Sequence, residues 1–179
     1  KHIPTATVSE EAANFVVTGI SGTKTFNLAG LQASTVVFPN AYMKKKFDTF
    51  WSNMDIHRNN AFSLTAMETA FNEGEEWLEQ LLPYISANFD YVVSYLEENI
   101  PQIKTYAPDA TYLMWLDCRG LGLDDQALRE FMIHKAGLGL SEGYYFAPSL
   151  SGFMRLNAAC PRSVLQKAME QLAAAVKTL

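Results

Sequence analysis

A single apolar stripe through the middle of the chain constrains its fold more than any other feature. Between Gly74 and Asn99, apolar side chains recur every three or four residues, which is the spacing of one face of an α-helix. This predicts one long helix. Pro83 is expected to bend or split it, because proline removes a backbone donor. The stripe consists of Leu78, Leu81, Leu82, Ile85, Phe89, Val92, Val93 and Leu96.

The predicted helix separates two parts of the chain that differ in their pattern of strands and helices. Ahead of it lie two short β-branched runs, 14–20 and 34–39, which are typical of buried strands. Strand and helix patterns alternate after it, so an α/β fold is predicted. We place a domain boundary within the helix, which divides the chain into residues 1–85 and 86–179. The other predicted elements are helices at 41–51, 63–72, 123–137 and 161–179 and strands at 111–117 and 152–159.

Composition excludes several classes of protein. Hydrophobic residues make up 49% of the chain and charged residues 18%, so it can bury a core and does not resemble a disordered segment. The net charge of −5 argues against binding to nucleic acid, and the run Lys44–Lys46 is interpreted as a solvated helix face. No apolar run is long enough to span a membrane, and no membrane partner is expected.

The cysteines and histidines point to neither a disulfide scaffold nor a metal site. Two lone cysteines, Cys118 and Cys160, favour a reducing, cytoplasmic setting. The histidines are far apart and lack the spacing of metal ligands, so no metal is expected. They are His2, His57 and His134.

The segment 18–34, TGISGTKTFNLAGLQAS, combines glycines, hydroxyl groups and one lysine between the two predicted strands. A phosphate-binding P-loop is disfavoured, because Thr23 rather than glycine precedes Lys24 and Thr18 occupies the earlier glycine position. The hydroxyl groups of Ser21 and Thr23, with free N–H groups of a tight turn, can hold an anion. A lysine beside an anion site can lose its proton and attack an aldehyde, and an aldehyde with a phosphate describes pyridoxal phosphate. A turn with a surface lysine is the alternative interpretation.

Four segments resemble, in order, segments of the fold-type I pyridoxal-phosphate enzymes, the class I and II aminotransferase superfamily. SGTKTFNLAGLQAS resembles the segment with the cofactor lysine, and GFMRLNAACPRS resembles the C-terminal segment. EGEEWLEQLLPYISANFDYVVSYLEENIP and ATYLMWLDCRGLG fit between them. The subgroup that the chain resembles is the cystathionine β-lyases, which are carbon–sulfur lyases.

This resemblance implies a particular part of the fold. Residues 1–85 would be a remnant of the large cofactor-binding domain. Residues 86–179 would be the linking helix and the small C-terminal α/β domain. Family members are much longer, and their upstream half supplies further cofactor contacts. The chain is therefore expected to be a C-terminal portion of an enzyme that is inactive alone, with apolar surface exposed on its first half.

The resemblance also implies the roles of individual residues. Lys24 would bind the cofactor covalently and act as the catalytic base, while Ser21 and Thr23 would contact the cofactor phosphate. Arg155 would pair with the substrate α-carboxylate, since a guanidinium fork matches a carboxylate. A half-buried structural ion pair is the alternative for Arg155. Gln32 departs from the wider superfamily, where an arginine often binds the phosphate.

The implied reaction is elimination from a sulfur-containing amino acid, which yields a thiol, pyruvate and ammonia. An aminotransferase would use the same Lys24 and Arg155, so these motifs do not separate the two activities. A third interpretation is a non-catalytic structural or interaction unit. The resemblance implies that the parent enzyme is a homodimer.

Overall fold

The computed structural model of the protein describes residues 2–56 and 60–179. It separates into two compact units, one that ends at Glu79 and one that spans Gln80–Leu179. The boundary falls inside helix α4 (Glu75–Asn99), the long helix that the apolar stripe predicts. The domains 1–85 and 86–179 stay a prediction, because compactness alone does not show which segment folds by itself.

The first unit combines a two-stranded hairpin with short and medium helices. Side chains cap two of these helices: Ser9 Oγ accepts from the Ala12 N–H at 3.0 Å, and Asn40 Oδ1 accepts from the Met43 N–H at 3.0 Å. The strands pair antiparallel, with Ile20 opposite Thr35. Its complete elements are α1 (Glu10–Phe15), β1 (Thr18–Ile20), β2 (Thr35–Val37), α2 (Ala41–Asn53) and α3 (Ser63–Glu73).

The prediction of a buried strand over 14–20 is wrong in two respects. Residues as far as Phe15 belong to α1, because Ser9 caps that helix and acidic residues follow in its first turn. The remaining strand, β1, is exposed at Ile20, which retains 44% of its accessible surface, and its partner β2 is exposed at Val37, which retains 48%. Every residue of β2 is exposed, and so are Gly19 and Ile20 of β1.

The first unit has almost no hydrophobic core. Among its described residues, the buried ones are Ala12, Gly22, Ser63 and Met67. Large apolar groups face solvent, and Phe62 is 74% exposed. Exposed apolar surface on the first half agrees with the expectation from sequence.

Helix α4 continues without a break through Pro83, so the expected split does not occur. A proline inside a helix costs about 3 kcal/mol. The stripe beyond it offsets this cost, because Ile85, Phe89, Val92 and Leu96 are all buried in the core of the second unit. Burying side chains of this size stabilises by about 1.5–3 kcal/mol each, so packing outweighs the proline.

The second unit contains a three-stranded antiparallel sheet, ordered β3-β5-β4. Burial alternates along β3 and β5, as a sheet with one face on a core requires. The predicted strands at 111–117 and 152–159 are confirmed with shorter bounds. Strand β4 cannot be recognised from the sequence, because a strand of two residues shows no periodicity. The strands are β3 (Leu113–Asp117), β4 (Ser141–Glu142) and β5 (Phe153–Asn157).

Two predicted helices of the second unit are also present. Helix α5 (Asp125–Glu130) is capped by Asp124, whose Oδ1 accepts from the Ala127 N–H at 2.8 Å. A π-helical turn (Phe131–Lys135) extends it, and Gly137 follows with a φ of 67°. Helix α6 (Arg162–Val176) closes the unit.

One polar side chain sits inside the core of the second unit. Asn88 is fully buried, and its Nδ2 donates to the carbonyl oxygens of Ala158 at 2.8 Å and Cys160 at 3.0 Å. Its Oδ1 accepts from Arg162 Nε at 2.8 Å. Asn88 therefore ties the loop between β5 and α6 to α4.

Candidate cofactor and substrate site

Lys24 lies in the middle of a single helical turn at the end of β1. The Phe26 N–H donates to the Gly22 carbonyl at 2.9 Å, and the Leu28 N–H donates to the Thr23 carbonyl at 2.8 Å. These two bonds fix the backbone on both sides of Lys24. Its side chain is exposed, so the amine is accessible to a ligand.

The hydroxyl groups of Ser21 and Thr23 lie beside this turn, 2.8 Å apart. Ser21 Oγ donates to the Ala33 carbonyl at 2.8 Å. A hydroxyl has one proton, so Thr23 is the donor of the shared bond. The Thr23 N–H also donates to Ser21 Oγ, at 3.3 Å. Both hydroxyl protons are therefore held in exposed bonds, which they can exchange for bonds to an anion by rotation.

Backbone donors complete this polar turn. The N–H groups of Lys24 and Thr25 donate no hydrogen bond within residues 2–56 and 60–179. Consecutive free N–H groups beside hydroxyls form a typical anion-binding concavity. Gln32, which departs from the superfamily pattern, is exposed and has a left-handed φ of 50°. The residues present fit a phosphate that is held by neutral donors, with Lys24 beside it.

Arg155 lies at the centre of β5, opposite Trp115 of β3 and Ser141 of β4. Its Nη2 donates to Ser141 Oγ at 3.3 Å, and its Cζ lies 4.4 Å from the ring centroid of Phe146. Phe146 meets the Trp115 ring edge-on, with centroids 5.5 Å apart. The guanidinium forms no ion pair with a carboxylate of the described residues. The alternative of a structural ion pair has no partner in this part of the chain.

The two thiols and one tyrosine of the second unit are poor nucleophiles. Burial is the main cause that raises the pKa of Cys118 to about 12, and burial also raises the pKa of Cys160, so both thiols stay protonated at neutral pH. Hydrogen bonding to Tyr145 is the main cause that raises the pKa of Tyr144 to about 12. The two tyrosine rings stack with centroids 4.3 Å apart.

The predicted site residues thus fall into two groups. Ser21, Thr23 and Lys24 come together in one turn of the first unit, whereas Arg155 belongs to the second unit. The sequence does not predict that Ser141 is a neighbour of Arg155. Ser141 belongs to a two-residue strand that pairs with β5, and so short a strand has no recognisable sequence pattern.

Neither a metal site nor a membrane-spanning helix is found among the described residues. Residues 2–56 and 60–179 hold no group of three histidine, cysteine or acidic residues that could bind a metal ion. His57 lies outside the described residues. No helix among the described residues is long and apolar enough to cross a membrane.

Comparisons with known proteins give a consistent result, although no protein-family model matches the chain. The cystathionine β-lyase PatB of Bacillus subtilis is 38% identical over 176 residues, which is 98% of this chain and 46% of that protein. The chain thus spans about half the length of this relative.

Solved structures that match the chain also belong to longer proteins, and two of them contain pyridoxal phosphate. A pyridoxal-phosphate-bound protein from Clostridium difficile 630, named as an aminotransferase, matches with a TM-score of 0.93 and 43% identity, over 98% of this chain and 46% of its own. Cystalysin from Treponema denticola, which contains pyridoxal 5′-phosphate, matches with a TM-score of 0.93 and 33% identity, over 99% of this chain and 45% of its own. The chain has the fold of the C-terminal portion of the fold-type I pyridoxal-phosphate enzymes, and the longer proteins that it matches include a cystathionine β-lyase.

Proposed function

We propose that this chain supplies the cofactor lysine and the substrate-binding arginine of a pyridoxal-phosphate-dependent carbon–sulfur lyase. The observation that carries the proposal is the match, over nearly the whole chain, to structures that contain this cofactor. The exposed Lys24 amine beside neutral anion donors supports it, because the cofactor is an aldehyde with a phosphate. The substrate class is sulfur-containing amino acids, which yield a thiol, pyruvate and ammonia.

Each site residue has a role that its chemistry supports. Lys24 would bind the cofactor covalently, while Ser21, Thr23 and the free N–H groups of the turn would hold its phosphate. In this role the Ser21 hydroxyl turns from the Ala33 carbonyl to the phosphate. The cofactor supplies an electron sink for negative charge at the substrate Cα.

Proton transfer and substrate orientation would come from the protein. The Lys24 Nζ would accept the proton from the substrate Cα as general base. Arg155 would hold the substrate α-carboxylate with its guanidinium, whose only described polar partner is the hydroxyl of Ser141. A fixed carboxylate sets which bond of the substrate is broken, since it limits rotation about Cα.

An aminotransferase is the second candidate, because one structure that matches the chain is named as one. Both activities would use Lys24 and Arg155 in the same roles. The natural protein that contains this chain would be assayed for pyruvate release from cystathionine and for keto-acid-dependent amino transfer. Pyruvate release supports the lyase. Amino transfer without pyruvate release contradicts it.

Assembly and location belong to the same proposal. A homodimer and a cytoplasmic setting are expected, and the two free thiols support a reducing compartment. If the chain binds no cofactor, the remaining interpretation is the third one, in which the chain is a structural or interaction unit.

Covalent labelling tests the cofactor assignment directly. The chain would be mixed with pyridoxal phosphate, reduced with borohydride and mapped by peptide mass. We expect selective label at Lys24, loss of that label in Lys24→Arg, and no change at Lys24 in the matched control Lys45→Arg. Pyridoxal without phosphate should label Lys24 less selectively, because the anion site would then contribute nothing. Equal label on all lysines would contradict the assignment.

A further inference from the structure

The ring of Phe26 connects the Lys24 turn to helices of the first unit. Its ring centroid lies 5.9 Å from that of Phe71 in α3, edge-on at 77°. It lies 6.0 Å from that of Trp77 at the start of α4. Aromatic pairs at these separations attract each other beyond the burial of their area.

Two glycines make room for this ring. A Cβ on Gly22 would lie 3.1 Å from Phe26 Cδ2 and 3.2 Å from the Phe71 ring, and a Cβ on Gly74 would lie 2.6 Å from Phe26 Cε1 and closer still to the Ala70 carbonyl oxygen. Neither glycine has a positive φ, so space rather than backbone conformation calls for glycine here. The ring is therefore held from both sides, by residue 22 of its own turn and by residue 74 between α3 and α4.

The ring and Lys24 share one rigid turn. The Phe26 N–H closes that turn on the Gly22 carbonyl at 2.9 Å, and Lys24 is the central residue between them. A displacement of the Phe26 backbone would therefore be passed on to Lys24. An open apolar cavity of about 360 Å³, lined in part by Phe26, Gly74 and Trp77, borders the ring.

We propose that Phe26 is a positioning residue for Lys24: packed against Phe71 and Trp77, in space that two glycines leave free, its ring clamps the turn that aims the lysine amine. The proposal deepens the cofactor assignment and rests on it for the role of the amine. That the ring keeps the backbone of this turn ordered is a separate claim, and it does not depend on any cofactor.

Amide exchange without cofactor tests the clamp. In the full chain, NMR would follow exchange at the N–H groups of residues 26 and 28, which close the turn. Phe26→Ala should speed both by about tenfold, which corresponds to about 1.4 kcal/mol of lost local stability. Phe26→Tyr keeps the ring and should restore slow exchange. The matched control is Phe50→Ala, an exposed aromatic of α2 whose recorded ring contact is with Trp51.

Labelling with pyridoxal phosphate then tests positioning. The readout is the ratio of label at Lys24 to label at Lys44, Lys45 and Lys46 of the same molecules. Loss of the whole fold would change the label at all four lysines, whereas a misplaced turn lowers only the label at Lys24. We expect this ratio to fall about tenfold in Phe26→Ala, to stay at the wild-type value in Phe26→Tyr, and to fall in Gly22→Ala, where the ring is present but displaced.

The outcomes are separable. Faster exchange with a lower label ratio supports the proposal, and unchanged exchange in Phe26→Ala overturns it. Faster exchange with an unchanged ratio also overturns it, because the lysine would then not depend on the ring. If Lys24 in the wild type takes no selective label, the cofactor assignment fails and with it the proposed purpose of the clamp. The exchange data then still decide whether the ring holds the turn. Should Phe26→Ala fail to fold, Phe26→Leu and Gly22→Ala provide the same comparison.

Discussion

At the scale of single residues, Arg155 shows how neighbours prepare a group for a ligand. Its guanidinium stacks on Phe146 and donates to Ser141 Oγ, and no described carboxylate neutralises it. A cation over an aromatic face is stabilised without using its hydrogen-bond donors. The remaining N–H groups are thus available for a carboxylate.

The first prediction concerns this stack. In the natural protein, Phe146→Ala should raise the KM for an amino-acid substrate about two- to fivefold with kcat little changed, because an exposed cation–π contact is worth about 0.5–1 kcal/mol. Steady-state kinetics would measure both constants. Tyr106→Ala, at a 77% exposed aromatic, is the control. A fall in kcat at constant KM would contradict the assignment of Phe146.

At the scale of elements, Asn88 joins α4 to the loop before α6. It makes three hydrogen bonds in a fully buried position, and Tyr84, one turn earlier, accepts from the Arg162 N–H at 2.7 Å. A buried polar group contributes in this way only while every partner is satisfied. The same loop leads from β5, which carries Arg155, so Asn88 also supports the strand of the candidate site.

The second prediction follows from the lost partners. Asn88→Ala should lower the free energy of unfolding of the second unit by about 2–4 kcal/mol, since the buried carbonyl of Ala158 and the partly buried carbonyl of Cys160 would both lose their donor. Denaturant unfolding would be followed by the fluorescence of Trp115, with the other tryptophans replaced. Asn99→Ala, which removes an exposed local bond, should change it by less than about 0.5 kcal/mol. Equal effects of both changes would contradict the structural role of Asn88.

At the scale of the whole molecule, the two units differ in what stabilises them. The second has a continuous buried core drawn from α4, the sheet, α5 and α6. The first buries few of its described side chains and exposes its hairpin. Segments with few buried apolar contacts open at low free energy, so the units should differ in local stability.

The third prediction is a difference in protease resistance. Limited proteolysis of the chain should cut the first unit early and leave a resistant product that covers most of 80–179. Mass spectrometry would identify the product. Its circular dichroism should show cooperative unfolding. A resistant product from residues 2–56 would contradict the interpretation.

Local patterns were enough to predict several features. The apolar stripe predicted α4, alternation predicted β3 and β5, and the glycine and hydroxyl residues of 18–34 predicted a tight polar turn around Lys24. These features depend on neighbours within a few residues. Helical spacing, capping and turn chemistry act at that range. The roles of the site residues stay predictions, since they rest on resemblance.

Only the tertiary structure decided the rest. Sequence did not reveal that Ser141 and Phe146 meet Arg155, that Phe26 lies against two glycines, or that the hairpin is exposed. The continuity of α4 through Pro83 was decided in the same way, because distant side chains bury its stripe. Each of these facts depends on which segments come together. Periodicity tells which face of an element is apolar, but it does not specify the partner that covers that face.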